Sequence, residues 1–415
     1  MRYNQSITNN TACQKAISLS RIKICHIKCF DEIEINLNSS SHNTTLIIGV
    51  NARGKSTILQ LIALGLNGIK TVPFPYSWKQ VVKTNAHHGT FEMDIVFDGN
   101  ITQLKFEVNK DDSITCIQGD DEIKSMKDHL LLFAYGANRH IKLEDPKPYQ
   151  EFDAIATLFG ENGYLKHIRV STTFEYVNNN FKIVQQLINA VIEKSDHENN
   201  ITLEGYDASS LYFKTRSNPN QHISVEALSE GFKSTFIWLF DMIIRIAKKG
   251  GNLNNAQEIT GIVLLDEVDL HLHPSWQRTI LSSIETVFPK IHFIVSSHSV
   301  FVAQSIKNEN LMALEWDNDK IVVIDNDTRL ERSYSAIARE LFKISSPFSY
   351  ETEQQINKFY EMQQKIRRNE NIHEQEFVNL VIDIANKGVE LEGVMRREIQ
   401  SLERRTRKTF NLWKK

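Results

Sequence analysis

The chain has 415 residues, 24% of them charged and 41% hydrophobic, with a formal net charge of −3. That composition is globular and long enough for one large or two ordinary domains, and it excludes a disordered chain, a fibre or a uniformly basic coat for nucleic acid. Cys13, Cys25, Cys29 and Cys116 imply no disulfide framework and complete no zinc site.

Residues 1–16 read as a loose polar tail. Ile17 to Leu37 alternates apolar and polar residues, which predicts an antiparallel hairpin with one wet face. Cys25 and Cys29 fall inside it and read as buried or idle thiols. The cluster Ser39-Ser40-Ser41-His42-Asn43 predicts a loop. It leads to the apolar run Thr45–Ile48, a buried strand, then to Gly49-Val50-Asn51-Ala52-Arg53-Gly54-Lys55-Ser56. Thr57 to Ile62 has helical spacing. Strands are expected at Phe91–Phe97 and Ile101–Val108 around an Asp98-Gly99-Asn100 turn, at Ile114–Ile117, and at Leu130–Tyr135. The stretch 150–205 reads as mostly helical, with an amphipathic helix over Phe181–Glu193. Ile262–Leu265 and His292–Ser296 predict short buried strands. Leu311–Glu315 and Lys320–Ile324 predict a last strand pair, and helices follow from Ser335. No sustained heptads appear before residue 225, so no long coiled coil is expected. No signal-peptide core or membrane-length apolar run is present, so a cytoplasmic protein with no membrane partner is expected.

Residues 49–56 match the Walker A pattern, in the strand–loop–helix context the pattern needs. Its backbone N–H groups and helix start can cradle phosphates, Lys55 can reach the β and γ phosphates, and Ser56 can hold Mg2+. Gly261 to Leu265 delivers Asp266 and Glu267 at a strand's C-terminal end, where open α/β sheets place ligands. Asp266 suits a Mg2+ ion that keeps several waters; Glu267 suits polarising a water for in-line attack. The alternative is a solvated acidic pair capping a strand. His298 follows an apolar strand and can bond a terminal phosphate and the attacking water; the alternative is a structural histidine. Leu228-Ser229-Glu230-Gly231 precedes an apolar helix, Thr235–Ile246. It is a second anion-attracting helix start, which one nucleotide does not need within one chain. Either it serves a second subunit's nucleotide, or it is an ordinary helix cap.

These motifs, in this order, resemble the ATP-binding-cassette ATPases over residues 17 to about 325. The opening Ile22 to Phe30 and Asn51 resemble SMC, RecF and OLD-type ATPases more than transporter cassettes. Asp269-Leu270-His271-Leu272-His273-Pro274 resembles OLD-family and PtuA-like ATPases of bacterial anti-phage systems, with His273 where an SMC head carries its D-loop aspartate. The resemblance implies an α/β fold: an ABC-ATPase head with a mixed β-sheet lobe, a helical lobe and a C-terminal helical extension. It implies ATP with Mg2+, bound through Gly49, Asn51, Ala52, Arg53, Gly54, Lys55, Ser56 and Thr57. Ser229, Glu230 and Gly231 would serve the other copy of a head-to-tail homodimer or higher even oligomer. Ser56 and Asp266 would be metal ligands, and Glu267 and His298 catalytic. Ala52 replaces the usual glycine. No clear Q-loop glutamine is present, Asn85 being the nearest candidate by position, and the adenine contact is unassigned.

The division expected is 1–149 and 226–330 for the two halves of the ATPase, 150–225 for a helical insertion and 331–415 for a helical extension. No Toprim context follows Asp325-Asn326-Asp327, which reads as a turn, so a separate effector, a nuclease by analogy, is the expected partner. DNA is a second candidate partner. Two alternatives stay open: a RecF- or SMC-like DNA-repair ATPase, and an ATP-bound scaffold that does not hydrolyse. The basic tail 391–415, with Arg396, Arg397, Arg404, Arg405, Arg407 and Lys408, suits nucleic-acid phosphates, an acidic partner or a solvated helix end. Phe410, Leu412 and Trp413 within it suggest docking, onto a partner or onto the protein itself.

Overall fold

The computed structural model describes residues 16–37, 43–68, 81–111, 113–127, 129–137, 139, 154–159, 170–195, 201–206, 211–216, 218–318, 320–324, 333–344, 346–410 and 412. The tail before residue 16, the Ser39–His42 stretch, Asp325-Asn326-Asp327 and Trp413 lie outside them. The chain forms two compact units, Met1–Ile337 and Ala338–Lys415.

The first unit is built on two large sheets. One is antiparallel. It contains β1 (Ile17–Ile27), β2 (Phe30–Asn36), β4 (His88–Phe97), β5 (Asn100–Asn109) and β6 (Ile114–Gln118), in the order β2-β1-β4-β5-β6. Alternation produces it: along β1, Ile22 and Ile24 are fully buried while their neighbours reach solvent. The turn joining β4 to β5 sets Asp98 at φ 51° and Gly99 at φ 81°, as a two-residue hairpin requires.

The other sheet contains β3 (Thr44–Ile48), β7 (Leu132–Tyr135), β11 (Gly261–Leu265), β12 (Ile291–Ser297), β13 (Leu311–Asp317) and β14 (Lys320–Ile324). Its order is β14-β13-β3-β12-β11-β7, parallel throughout except for β14. Continuous apolar runs such as Ile262-Val263-Leu264-Leu265 suit strands covered on both faces. Register places Ile48 opposite Ser297, and Leu265 opposite both Val295 and Tyr135. Four adjacent strands therefore end together.

Helix α1 (Lys55–Asn67) carries the Walker sequence, and every residue from Thr57 to Leu66 is buried. It meets both sheets: a side chain at Gly65 would strike Met93 at 2.3 Å and Phe106 at 3.0 Å, while the other side packs on β7, β11 and β12. Glycine costs a helix interior about 1 kcal/mol, and here it permits that close approach.

Helices α2 (Asp120–Lys127), α3 (Val170–Ser195), α4 (Glu230–Lys248), α5 (Pro274–Gln277), α6 (Ile280–Val287), α7 (Val300–Ser305) and the boundary helix α8 (Tyr334–Glu340) complete this part of the chain. A small antiparallel sheet of β8 (Thr202–Tyr206), β9 (Leu211–Thr215) and β10 (Asn218–Ser224) was not legible beforehand, and it corrects the mostly helical reading at its C-terminal end. Its strands are short, and β10 is polar throughout most of its length. The sheet packs by Phe213, whose ring meets Phe232 and Phe236 of α4 edge-on at 5.2 and 4.9 Å.

The second unit packs α9 (Tyr350–Arg367), α10 (Glu374–Ala385) and α11 (Val389–Thr406) around Phe359, Phe377, Val381, Met395 and Leu402. Phe410 is buried in that core and Leu412 packs against it, so both dock onto the chain's own body.

One buried histidine ties the two large sheets. His292 Nδ1 accepts from Leu19 N at 3.3 Å, beside the β1 bulge, and its Nε2 lies 3.3 Å from Thr45 Oγ1. Burial alone pushes the imidazole pKa down to about 4. The unfolded chain, with an ordinary histidine near 6.5, takes the proton more readily. The stabilisation is therefore full above pH 6.5 and drains as pH falls from there to 4. Urea midpoints should report roughly 3 kcal/mol lost across this window beyond that of His292→Asn; parallel pH profiles for the two proteins would refute the assignment.

Candidate functional site

The site forms where β3, β12, β11 and β7 end. β3 passes into the loop 49–54, which turns through left-handed conformations at Ala52 (φ 64°) and Gly54 (φ 85°). Glycine is free in that region, so Ala52 sits in a conformation that costs an L-residue about 1 kcal/mol or more. Gly54 is irreplaceable for a second reason: a Cβ there would lie 2.3 Å from the Phe30 ring. Gly54 is the N-cap of α1, and no side chain caps that first turn, which leaves a helix start suited to an anion.

Lys55 is 5% exposed. Its ammonium donates to Gly49 O at 2.8 Å and to Val50 O at 3.3 Å. Burial lowers its pKa to about 8, against the opposing pull of Asp266, Glu267 and Asp269. Arg53 turns aside, with its guanidinium 5.4 Å from the Trp316 ring on β13. Asn51 and Ala52 are exposed, Ser56 is half-buried, and Thr57 is buried behind the loop.

β11 delivers Asp266, 7% exposed, and half-buried Glu267. Ser296, near the end of β12, joins the pair: its hydroxyl donates to Asp266 Oδ1 and accepts from Glu267 N, the latter at 2.9 Å. Asp266 N donates to Tyr135 O at 2.8 Å. Glu267 holds φ 49°, a left-handed conformation that needs support. Buried Arg139 supplies it from beyond β7. Its Nη2 donates to Asp266 O and, at 3.2 Å, to Glu267 O, while its Nε donates to Gly136 O at 2.8 Å. Burial lowers its pKa to about 10, so it remains a cation at neutral pH.

His298 follows β12, and its backbone N–H donates to Asp269 Oδ1 at 3.3 Å. Burial, then the Lys55 charge, lowers the imidazole pKa, against the pull of Asp269, Glu267 and Asp266. His298 is thus neutral at physiological pH, with one ring nitrogen able to accept and the other to donate. Lys55, Asp266, Glu267, Asp269 and His298 act on one another electrostatically across a single neighbourhood. Among the described residues, no three His, Cys, Asp or Glu side chains cluster to hold a metal by themselves. A Mg2+ that completes its shell with phosphate oxygens and water needs only one or two protein ligands, and Ser56 and Asp266 fit that requirement.

Ser229 is the exposed N-cap of α4, its side chain makes no cap hydrogen bond, and Glu230 Oε1 accepts from Lys233 Nζ at 2.6 Å. Gly231 has an intramolecular reason to be glycine: a Cβ there would lie 2.0 Å from His271 O. The Asp269–Pro274 run is thus pressed onto the start of α4. His273 caps α5, accepting from Ser275 N. Tyr135 OH donates to buried Asp241 Oδ2 on α4 at 2.8 Å, and Arg245 Nε donates to the same oxygen at 2.6 Å. Asn85 lines a cavity of about 690 Å³ with His26, Lys28, Asp31, Lys83, His87 and His88. None of the Lys55 neighbourhood lines that cavity.

The parallel sheet, the loop and the strand-end carboxylates have the arrangement of an ABC-type ATPase head. The chain belongs to the family described as "AAA domain, putative AbiEii toxin, Type IV TA system", which its residues 44–303 match. It is 24% identical over 382 residues to "Retron Vc95 probable ATPase" of Vibrio cholerae serotype O1 biovar El Tor, covering 72% of this chain and 74% of that protein. It is 25% identical over 327 residues to "Septu protein PtuA" of Bacillus mycoides strain KBAB4, covering 75% of this chain but 41% of that one. With "Retron Ec83 probable ATPase" of Escherichia coli it shares 42% identity over 96 residues, 23% of this chain and 18% of that protein. The chain thus spans less than half the length of two of these relatives. An SMC head solved with the C-terminal winged-helix domain of ScpA aligns with TM-score 0.50 at 14% identity, over 74% of this chain and 96% of that one, a likeness of fold.

Arg139 and Ser296 carry no site signal in the sequence, and Asp269 stands out there only as part of the Asp269–Pro274 run. Arg139 acts on backbone carbonyls and leaves no motif. Arg139→Leu should leave buried carbonyls unsatisfied and lower stability by roughly 3 kcal/mol, with Arg139→Lys recovering part. Denaturant titration reads this, and an unchanged midpoint for the leucine variant would refute the clamp.

Proposed function

We propose that this protein is an Mg2+-dependent ATPase of an anti-phage system. In this reading it dimerises around ATP and controls a separate effector, for which a nuclease is the expected class. The observation that carries the reading is the Lys55 neighbourhood: a buried ammonium at an uncapped helix start, faced by strand-end carboxylates and a neutral imidazole.

Lys55 and the loop's amides bind the β and γ phosphates. Ser56 and Asp266 would hold Mg2+, which would neutralise phosphate charge. Glu267, held by Arg139 and Ser296, orients the attacking water and takes its proton. His298 accepts from that water or donates to the γ phosphate. The exposed, uncapped start of α4 at Ser229 supports the second half of the reading, in which Ser229, Glu230 and Gly231 complete a nucleotide site on another copy.

Lys55→Ala should abolish nucleotide binding, and Glu267→Gln should retain ATP while turnover falls at least a hundredfold. Ser229→Arg should keep single-site binding and lose hydrolysis; wild-type turnover in that variant would end the two-copy reading. Phosphates bind the ammonium form of Lys55, whose pKa is about 8. ATP affinity should therefore fall roughly tenfold between pH 7.5 and 9, and a flat profile in calorimetric titrations would contradict it.

A further inference from the structure

The charges of the C-terminal unit are sorted by end. Lys387, just past α10, donates to Thr352 Oγ1 at 3.2 Å in the first turn of α9, so α10 runs antiparallel to α9. The short link 386–388 turns the chain back, and Gln363 Nε2 of α9 donates to Glu398 Oε2 of α11 at 3.0 Å. Helices α9 and α11 therefore run in the same direction and finish at the same end of the bundle.

That end is basic. Lys365, Arg367 and Arg368 close α9, and Arg404, Arg405, Arg407 and Lys408 close or follow α11; all are exposed. Among the described residues, only Arg368 of these meets a carboxylate, Glu370 at 4.0 Å. Of the other acids at this end, Glu376 is taken by Lys358 at 2.6 Å, and Glu403 accepts from Phe410 N. Glu374 stands in the first turn of α10. The opposite end carries Glu351, Glu353, Glu390 and Glu392 in its first turns. Helix dipoles favour such a distribution, but they account for a cation or two at each helix end, and here seven cations gather at one end of the bundle.

We propose that this end of the C-terminal unit binds the phosphate backbone of duplex nucleic acid without regard to sequence. Arginine outnumbers lysine in the patch, and its planar fork pairs with phosphate oxygens. Arg407 sits at φ 56° after the last turn of α11, a left-handed position where glycine is the unstrained choice. Two helix ends side by side span about 20 Å, comparable to the width of a duplex. Of the exposed large apolar side chains of this unit, Tyr350 and Val389 lie at the far end, Ile382 lies in the last turn of α10, and Tyr360 lies about two turns before the end of α9, so the helix tips themselves carry none on which bases could stack, which favours a duplex over a single strand. The proposal rests on the C-terminal unit and not on the nucleotide site.

The test uses the full chain, without nucleotide, and a fluorescein-labelled 20-base-pair DNA of arbitrary sequence, followed by anisotropy from 25 to 200 mM KCl. Two unrelated sequences should bind equally, and affinity should fall steeply with salt. Arg404→Glu with Arg405→Glu should weaken binding at least tenfold and flatten the salt slope by about two phosphates' worth. Lys365→Glu with Arg367→Glu should do the same, which makes the two helix ends one surface. Milder Arg404→Gln with Arg405→Gln variants, checked by thermal melting, should lose less and keep the fold, and ATPase rates should be unchanged. Failure of the wild-type chain to bind duplex at 25 mM salt would overturn the proposal. So would charge-reversed variants that bind with wild-type affinity and slope, or preferential binding of polyglutamate over the duplex.

Discussion

The strand-end site of the first unit is arranged around the buried Lys55 ammonium. Taking the Lys55 ammonium out of water is costly, and its lowered pKa records that cost. Asp266, Glu267 and Asp269 offset it, and each is held in place by other means. Ser296 and Arg139 fix the first two, and the N–H of His298 fixes the third. The loop's left-handed turns and the tight packing of Gly54 on Phe30 aim the lysine. An anionic ligand entering this site would meet positive charge at Lys55 and negative charge immediately behind it, a gradient suited to a phosphate chain that carries its own divalent cation.

The strands around the site were legible because their apolar runs stop where the chemistry starts. Thr45–Ile48, Ile262–Leu265 and His292–Ser296 each appear in the sequence as a short greasy segment with candidate site residues close behind it, and β3, β11 and β12 match them within a residue or two. The hairpin of β1 and β2 was legible by its alternation. What the sequence hides is adjacency. Nothing in the local pattern says that β7 lies beside β11, so Arg139 looks like one more surface arginine until the sheet order brings it onto the Asp266 and Glu267 carbonyls. Ser296 looks like a strand-end hydroxyl until the register places it across from the acidic pair. The small sheet of β8 to β10 was lost for a different reason: its strands are too short and too polar for a period of two to show.

Gly231 illustrates how one residue answers to two constraints. The motif reading makes it a point of close approach for a phosphate. The fold makes it the only residue type that fits beneath the His271 carbonyl. Substituting it would therefore disturb the protomer before any second copy is considered, and Ser229, which has no such contact, isolates the intermolecular question.

The hydrogen bond between Tyr135 and Asp241 has a mechanical consequence. Tyr135 closes β7, its carbonyl holds the amide of Asp266, and its hydroxyl is anchored within α4. Asp241 is fully enclosed, so that anchor cannot be exchanged for solvent. The helix that presents Ser229 outward and the strand end that presents Asp266 inward are thus yoked through a single phenol. The strand end and the helix are joined by a tie rod, in a piece of the molecule that holds no motif of its own.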